Sequence, residues 1–165
     1  MEKPPIVTFV GKSNAGKTTY LEKLIKELKN RNIKVGTIKH DAHGFEMDKP
    51  GKDTWRHAQA GADTVIISSP AKVAVIKKTE HEMNLDQIAE FVLDMDIILT
   101  EGYKRSANPK IEINRRDHSS ELLCGPDELI ALVSDTDWDL GVPVFDLDDA
   151  VGVANLLQKK YNLPG

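Results

Sequence analysis

The chain has 165 residues, of which 40% are hydrophobic and 29% charged, and its formal net charge is −4. This length predicts one globular domain spanning residues 1–165, and the acidic balance argues against nucleic acid as a partner. The single cysteine, Cys124, excludes an internal disulfide, and no apolar run is long enough to span a bilayer, so we expect a cytoplasmic protein without a membrane partner.

The first element in chain order is a short apolar run, Ile6–Val10, which a proline and a glycine bound. It predicts a buried strand. After a glycine-containing loop, apolar residues recur at helical spacing between Tyr20 and Leu28, and residues 33–38 then predict a second strand. A strand, glycine turn, helix and strand in this order indicate a right-handed parallel crossover.

Strand-like and helix-like segments alternate through the rest of the chain. Asp53 is a predicted N-cap for a helix that ends before Gly61, and two further helices are expected at residues 84–92 and 149–161. The remaining predicted strands are a hairpin at 64–67 and 73–76, and single strands at 97–100, 111–113, 130–133 and 142–145. The pattern predicts a three-layer α/β fold: a mostly parallel sheet with helices on both faces and the hairpin added at a sheet edge.

The loop between the first strand and the first helix reads GKSNAGKT, which fits the phosphate-loop pattern G-x-x-x-x-G-K-[ST] at every fixed position. The glycines permit a tight turn and close approach of the backbone to a phosphate. Backbone N–H groups and the helix N-terminus form an anion cradle. Lys17 would reach the β- and γ-phosphates, and the hydroxyl of Thr18 would bind Mg²⁺.

A phosphate loop of this kind needs an acidic residue at the end of a neighbouring strand. The strand in DIILTEG ends at Glu101, where ligands collect in open parallel sheets, although an ordinary solvated acid remains the alternative. Lys39, His40 and Asp41 leave the second strand at the same edge. This placement suits a nucleotide-sensing loop in which Asp41 supports the magnesium site.

Four segments in a fixed order resemble the molybdopterin-guanine dinucleotide biosynthesis protein B family. They are the phosphate loop, TIKHDAHGFEMDKPGKDTWRHAQAGA, ILTEGYK and ALVSD. The similarity extends over nearly the whole chain, and the second and third segments are more specific than the phosphate loop alone.

The resemblance implies a P-loop NTPase fold, GTP binding with Mg²⁺, weak GTPase activity and a homodimer. It also implies an adapter role towards a partner guanylyltransferase that joins GMP to molybdopterin. Carried onto this chain, the catalytic residues are Lys17, Glu101 and Asp41, and the magnesium ligands are Thr18, Glu101 and Asp41. The nucleotide-binding residues are Gly11, Lys12, Ser13, Asn14, Ala15, Gly16, Lys17, Thr18, Thr19, Lys39, His40 and Gly102.

Two other functions use the same loop, namely a small-molecule kinase and a nucleotide-binding scaffold without turnover. No N/T-K-x-D motif follows a late strand, so the guanine preference comes from the resemblance alone. A basic cluster after Glu101 suits either an anionic ligand or ordinary solvation; it comprises Lys104, Arg105, Lys110, Arg115 and Arg116.

Overall fold

The computed structural model describes residues 3–165, which form eight strands and four α-helices. The strands are β1 Ile6–Val10, β2 Val35–Lys39, β3 Thr64–Ser69, β4 Lys72–Lys77, β5 Ile97–Glu101, β6 Lys110–Asn114, β7 Leu129–Ser134 and β8 Val144–Phe145. The helices are α1 Lys17–Asn30, α2 Asp53–Gln59, α3 Leu85–Ala89 and α4 Ala150–Tyr161. Within these described residues, no helix combines the length and the apolar character that a membrane crossing requires.

Six strands form one sheet in the order β2-β5-β1-β6-β7-β8, and every pairing in it is parallel. The strand that precedes the phosphate loop, β1, is central, and all but its first residue are buried. A strand covered on both faces carries mainly apolar side chains, which explains the apolar run in the sequence. Its one polar residue, Thr8, is buried and accepts a hydrogen bond from the Thr100 hydroxyl at 3.0 Å. Because the strands are parallel, the residues that follow them emerge at one edge of the sheet.

Helices cover both faces of this sheet, as the sequence predicted. On one face, α1 and α4 pack over alternate residues of the central strands, including Phe9, Leu99 and Ile111. On the other face, α3 contributes Leu85 and Ala89 to a smaller cluster with strand residues of β2 and β5. The predicted three-layer α/β architecture is therefore confirmed.

The chain divides into two compact units. One comprises the chain up to His40 together with Leu85–Gly165, and the other comprises Asp41–Asn84. The second unit holds α2 and the antiparallel hairpin of β3 and β4. The prediction of a single domain stays a prediction.

Two sequence-based details are wrong. The hairpin does not join the edge of the parallel sheet; β3 and β4 form a separate two-stranded sheet. The N-cap of α2 is Lys52, and Asp53 is the first helical residue. At that position the Asp53 carboxylate interacts favourably with the positive end of the helix dipole. The remaining elements match their predictions within a few residues at each end.

Candidate functional site

The phosphate loop connects β1 to α1, and two glycines shape it for different physical reasons. Gly11 lies so close to β6 that a Cβ atom there would be 2.5 Å from the carbonyl oxygen of Ile113. Gly16 has φ of 93°, in the left-handed region that side chains disfavour, and it caps α1. Both requirements explain why the motif demands glycine at these positions.

The side chain of Lys17 folds back over the loop. Its Nζ donates hydrogen bonds to the carbonyl oxygens of Gly11 at 2.9 Å and Lys12 at 3.0 Å. An ammonium group has three N–H donors, so one remains for another acceptor. The two carbonyl contacts therefore hold the ammonium group at the loop and aim its remaining proton.

The environment lowers the pKa of Lys17. Partial burial is the main cause; the carboxylate of Glu101 opposes it, and the cations of Lys104 and Lys39 add to it. Burial disfavours the charged form of an amine, and a nearby anion favours it. A bound phosphate would add further anionic charge beside this lysine and so favour its charged form.

Thr18 and Glu101 form the second part of the site. The hydroxyl of Thr18 lies 3.2 Å from each carboxylate oxygen of Glu101 and donates to that group. The pairing of β1 with β5 brings them together, because Glu101 ends β5 and Thr18 lies in the first turn of α1, the helix that follows β1. Lys39, from the end of β2, places its Nζ 3.9 Å from the same carboxylate, and its side chain is mostly exposed.

The hydroxyl of Thr18 and the carboxylate of Glu101 fit Mg²⁺. This ion prefers oxygen ligands, and it commonly uses one or two protein groups together with water and substrate phosphates. No group of three or more histidine, cysteine or acidic residues among residues 3–165 forms a metal cluster. Such a shared site, completed by phosphates, is the arrangement that these two side chains suit.

Two further predicted residues, His40 and Gly102, meet behind Glu101 together with Tyr103. The backbone N–H of His40 donates to the Glu101 carbonyl oxygen at 3.0 Å. Gly102 has φ of 102°, and a Cβ atom there would lie 3.1 Å from the Cβ of His40. The rings of His40 and Tyr103 are 5.0 Å apart. Gly102 therefore allows the chain to turn closely past the end of β2.

The other predicted residues fall into two groups. In the loop itself, Ala15 is buried and the rest are exposed, namely Lys12, Ser13, Asn14 and the helical Thr19. Asp41 is the first residue of the second unit, where its carboxylate accepts the backbone N–H of His43 at 2.9 Å. The assignment of Asp41 to catalysis and to magnesium stays a prediction, as do the other residue roles.

The basic cluster separates into residues with different surroundings. Lys110 is buried and pairs with Glu128 at 2.9 Å, so it serves the fold. The backbone N–H of Arg116 donates to Asp135 at 2.8 Å. Arg115 lies against the phosphate loop, beside Gly16. In the sequence these residues share only their charge, and the pairing of β6 with β1 reveals that Arg115 lies near the loop.

Comparisons with known proteins agree with this fold. The sequence model of the family described as "Molybdopterin guanine dinucleotide synthesis protein B" matches residues 6–135. A molybdopterin-guanine dinucleotide biosynthesis adapter protein of Escherichia coli K12 is 37% identical over 159 residues, covering 93% of this chain and 91% of the relative. A protein of the same name from Haemophilus influenzae is 33% identical over 156 residues, covering 93% of this chain and 88% of the relative.

Solved structures give the same result. The crystal structure of Bacillus subtilis MobB superimposes with a TM-score of 0.74 at 28% sequence identity, covering 98% of this chain and 99% of that one. The family match, the near-complete overlap with the relatives and the shared fold all point the same way. This chain belongs to the molybdopterin guanine dinucleotide synthesis protein B family.

Proposed function

We propose that this protein binds GTP with Mg²⁺ at the phosphate loop, hydrolyses it slowly, and acts as an adapter in the synthesis of molybdopterin guanine dinucleotide. Its partner in this proposal is the guanylyltransferase that attaches GMP to molybdopterin. The observation that carries the proposal is the preformed site of Lys17, Thr18 and Glu101 in a member of this family.

Phosphate binding is supported by three features of the loop. The ammonium group of Lys17 is held at the loop by two backbone carbonyls. The N-terminus of α1 begins directly after Gly16 and adds unpaired N–H groups and the positive end of the helix dipole. The lowered pKa of Lys17 reflects a partly buried cation, a group that gains most from an incoming anion.

Thr18 and Glu101 would hold Mg²⁺, which would partly neutralise the negative charge of the nucleotide's phosphates. The chain's own residues then determine the rate. Fast GTPases use a glutamine to orient the attacking water. The segment from Glu101 to β6 reads GYKRSANP and contains no glutamine. We therefore propose that nucleotide binding is tight enough to function while hydrolysis is slow.

The adapter role is supported by the relatives. The E. coli and H. influenzae proteins are named adapter proteins of molybdopterin-guanine dinucleotide biosynthesis. In this proposal the bound nucleotide orders residues 39–53, which contact the guanylyltransferase or molybdopterin. A homodimer and a cytoplasmic location complete the proposal and follow from the family resemblance and the single cysteine.

Calorimetric titration with GTP and ATP, each with Mg²⁺ and with EDTA, tests the proposal. The parent should prefer GTP by at least tenfold, which is about 1.4 kcal/mol. Lys17→Ala should lose most of the affinity and keep its fold, because the ammonium contacts loop carbonyls and packs into no core cluster. Lys26→Ala, an exposed lysine on the same helix, is the matched control and should bind as the parent does.

The same titration has outcomes that contradict the proposal. If Lys17→Ala binds GTP as tightly as the parent, the phosphate loop is not the nucleotide site. If the parent binds ATP as well as GTP or better, guanine is not selected, and a phosphoryl-transferring kinase becomes the better reading of the same loop.

A further inference from the structure

Arg115 follows directly after β6, the strand that pairs with β1 on the side opposite β5. The pairs Phe9 with Ile111 and Val10 with Glu112 set the two strands side by side. The residues that follow β6 therefore emerge beside the residues that follow β1, which are those of the phosphate loop. Glu101, at the end of β5, lies on the other side of β1.

The guanidinium group of Arg115 packs against the last glycine of the loop. A Cβ atom placed on Gly16 would lie 3.6 Å from both Nε and Nη2 and 3.7 Å from Cζ. Three nearly equal distances mean that the plane of the guanidinium group, rather than its N–H edge, faces Gly16. The N–H groups thus remain directed away from the glycine.

The positive charge of the Arg115 side chain is not neutralised by an ion pair within residues 3–165. Its side chain is exposed and takes part in no hydrogen bond or ion pair among the described residues. Its electrostatic effect reaches Asp148, whose pKa is lowered chiefly by its hydrogen bond to Lys23 and to a smaller degree by Arg115. The guanidinium group of Arg115, with its five N–H donors in one plane, therefore lies next to the phosphate loop.

The backbone around Arg115 is held from several directions. Its carbonyl oxygen accepts the N–H groups of His118 at 2.9 Å and Ser119 at 3.0 Å. The next residue, Arg116, donates its backbone N–H to Asp135 at 2.8 Å. The buried carboxylate of Glu112 accepts the N–H groups at the far end of the same loop, from Leu123 and Cys124. The Cα of Arg115 is thus fixed, and only its side chain needs to move.

We propose that Arg115 contacts the α- and β-phosphates of the bound nucleotide from the β6 side of the loop. This inference rests on the proposed nucleotide binding and adds a residue to it. Thr18 and Glu101 mark the end of the site where magnesium and the γ-phosphate belong, on the β5 side. A nucleotide with its γ-phosphate there presents its inner phosphates to the β6 side. A guanidinium group binds two phosphate oxygens at once, which suits this position.

The test compares GDP and GTP binding by calorimetry in the parent, Arg115→Ala, Arg115→Lys and Arg105→Ala. Arg105 is the matched control, because it is an exposed arginine far along the strands from the phosphate loop. It lines a groove beside the first residues of β6 and β7, whereas the phosphate loop follows the last residue of β1. Arg115→Ala should raise the Kd for GDP and for GTP by the same factor of about ten, the strength of a charge-assisted hydrogen bond. Arg115→Lys should show a smaller loss, and Arg105→Ala should bind as the parent does.

Each other outcome overturns the inference. If Arg115→Ala binds both nucleotides within twofold of the parent, Arg115 does not contact them. If the loss appears with GTP only, the contact is to the γ-phosphate and the placement is wrong. If Arg105→Ala loses as much nucleotide affinity as Arg115→Ala, the effect comes from the overall positive charge and not from a contact made by Arg115. If the parent itself binds neither GDP nor GTP, the proposed function fails together with this inference. If the parent binds both and Arg115→Ala binds them equally well, only this inference fails.

Discussion

Gly11→Ala tests the close approach between the phosphate loop and β6. The added Cβ would lie 2.5 Å from the Ile113 carbonyl oxygen, whereas ordinary contacts begin near 3.4 Å. Relieving the clash requires a backbone shift of nearly 1 Å, because the obstacle is a carbonyl group and not a flexible side chain. Ile113 is buried and also pairs with Val133 of β7, so the shift would disturb three strands.

We expect Gly11→Ala to lower the free energy of unfolding by about 3 kcal/mol, the upper end of the usual cost of overpacking. Two other glycines calibrate this value. Gly16→Ala should cost about 1–2 kcal/mol, because its φ is 93° but its Cβ would find ordinary contact distances. Gly125→Ala should stabilise by about 0.4–1 kcal/mol, because its φ is −71° and nothing lies within 4 Å of the new atom.

Urea unfolding followed by circular dichroism at 25 °C measures the three variants against the parent. The midpoint should fall for Gly11→Ala with an unchanged slope, and the melting temperature should drop by roughly 6–12 °C, given about 2–4 °C per kcal/mol for a chain of this size. If Gly11→Ala is as stable as Gly125→Ala, β6 can shift with no loss in the free energy of unfolding, and the expected clash with the Ile113 carbonyl oxygen is refuted.

Two further predictions concern the carboxylate and the thiol of the first unit. Glu101→Gln should bind GTP in EDTA within about twofold of the parent, because the amide oxygen still accepts the hydrogen bond from Thr18, and should release phosphate with Mg²⁺ at least about tenfold more slowly. Equal rates of phosphate release in parent and variant would show that Glu101 is not part of the site. Burial, aided by the carboxylates of Glu112 and Glu128, raises the pKa of Cys124 to about 11. A raised pKa lowers the thiolate fraction at any pH below it, so alkylation of Cys124 at pH 9 should be roughly fiftyfold slower than in urea-unfolded protein. The rate in the folded protein should increase up to about pH 11, and equal rates in folded and unfolded protein at pH 9 would contradict this.

Local patterns predicted much of the fold. The apolar run of β1 and the helical spacing from Tyr20 to Leu28 depend only on neighbouring residues, and both elements formed as expected. The motif also predicted the glycine turn that places Lys17 and Thr18 at the start of α1, because such a turn is itself a local structure. The roles of both residues stay predictions. The position of Glu101 beside them required one further assumption, that its strand is parallel to β1 and adjacent to it.

Features that depend on strand order were not predictable. Nothing in the local sequence says that β6 is the other neighbour of β1, so the contact between Arg115 and Gly16 was not foreseen. Lys110 was grouped with exposed cations, yet it lies at the start of that buried strand and pairs with Glu128. The hairpin at 64–76 shows the same limit, since its pattern predicts two strands but not whether a larger sheet accepts them.

The parallel order of the sheet also determines when the phosphate loop can form during synthesis. The ribosome releases β1 early, but both strands that flank it, Ile97–Glu101 and Lys110–Asn114, lie in the second half of the chain. At about 5–20 residues per second, β1 waits roughly 5–20 s for β6. Until β5 and then β6 have been synthesised, the apolar strand lacks its neighbours in the sheet, and its pairings must overcome the entropy of closing long loops. The close contact between Gly11 and β6 therefore forms only after β6 has been synthesised, and a phosphate can stabilise the finished loop only from that point on.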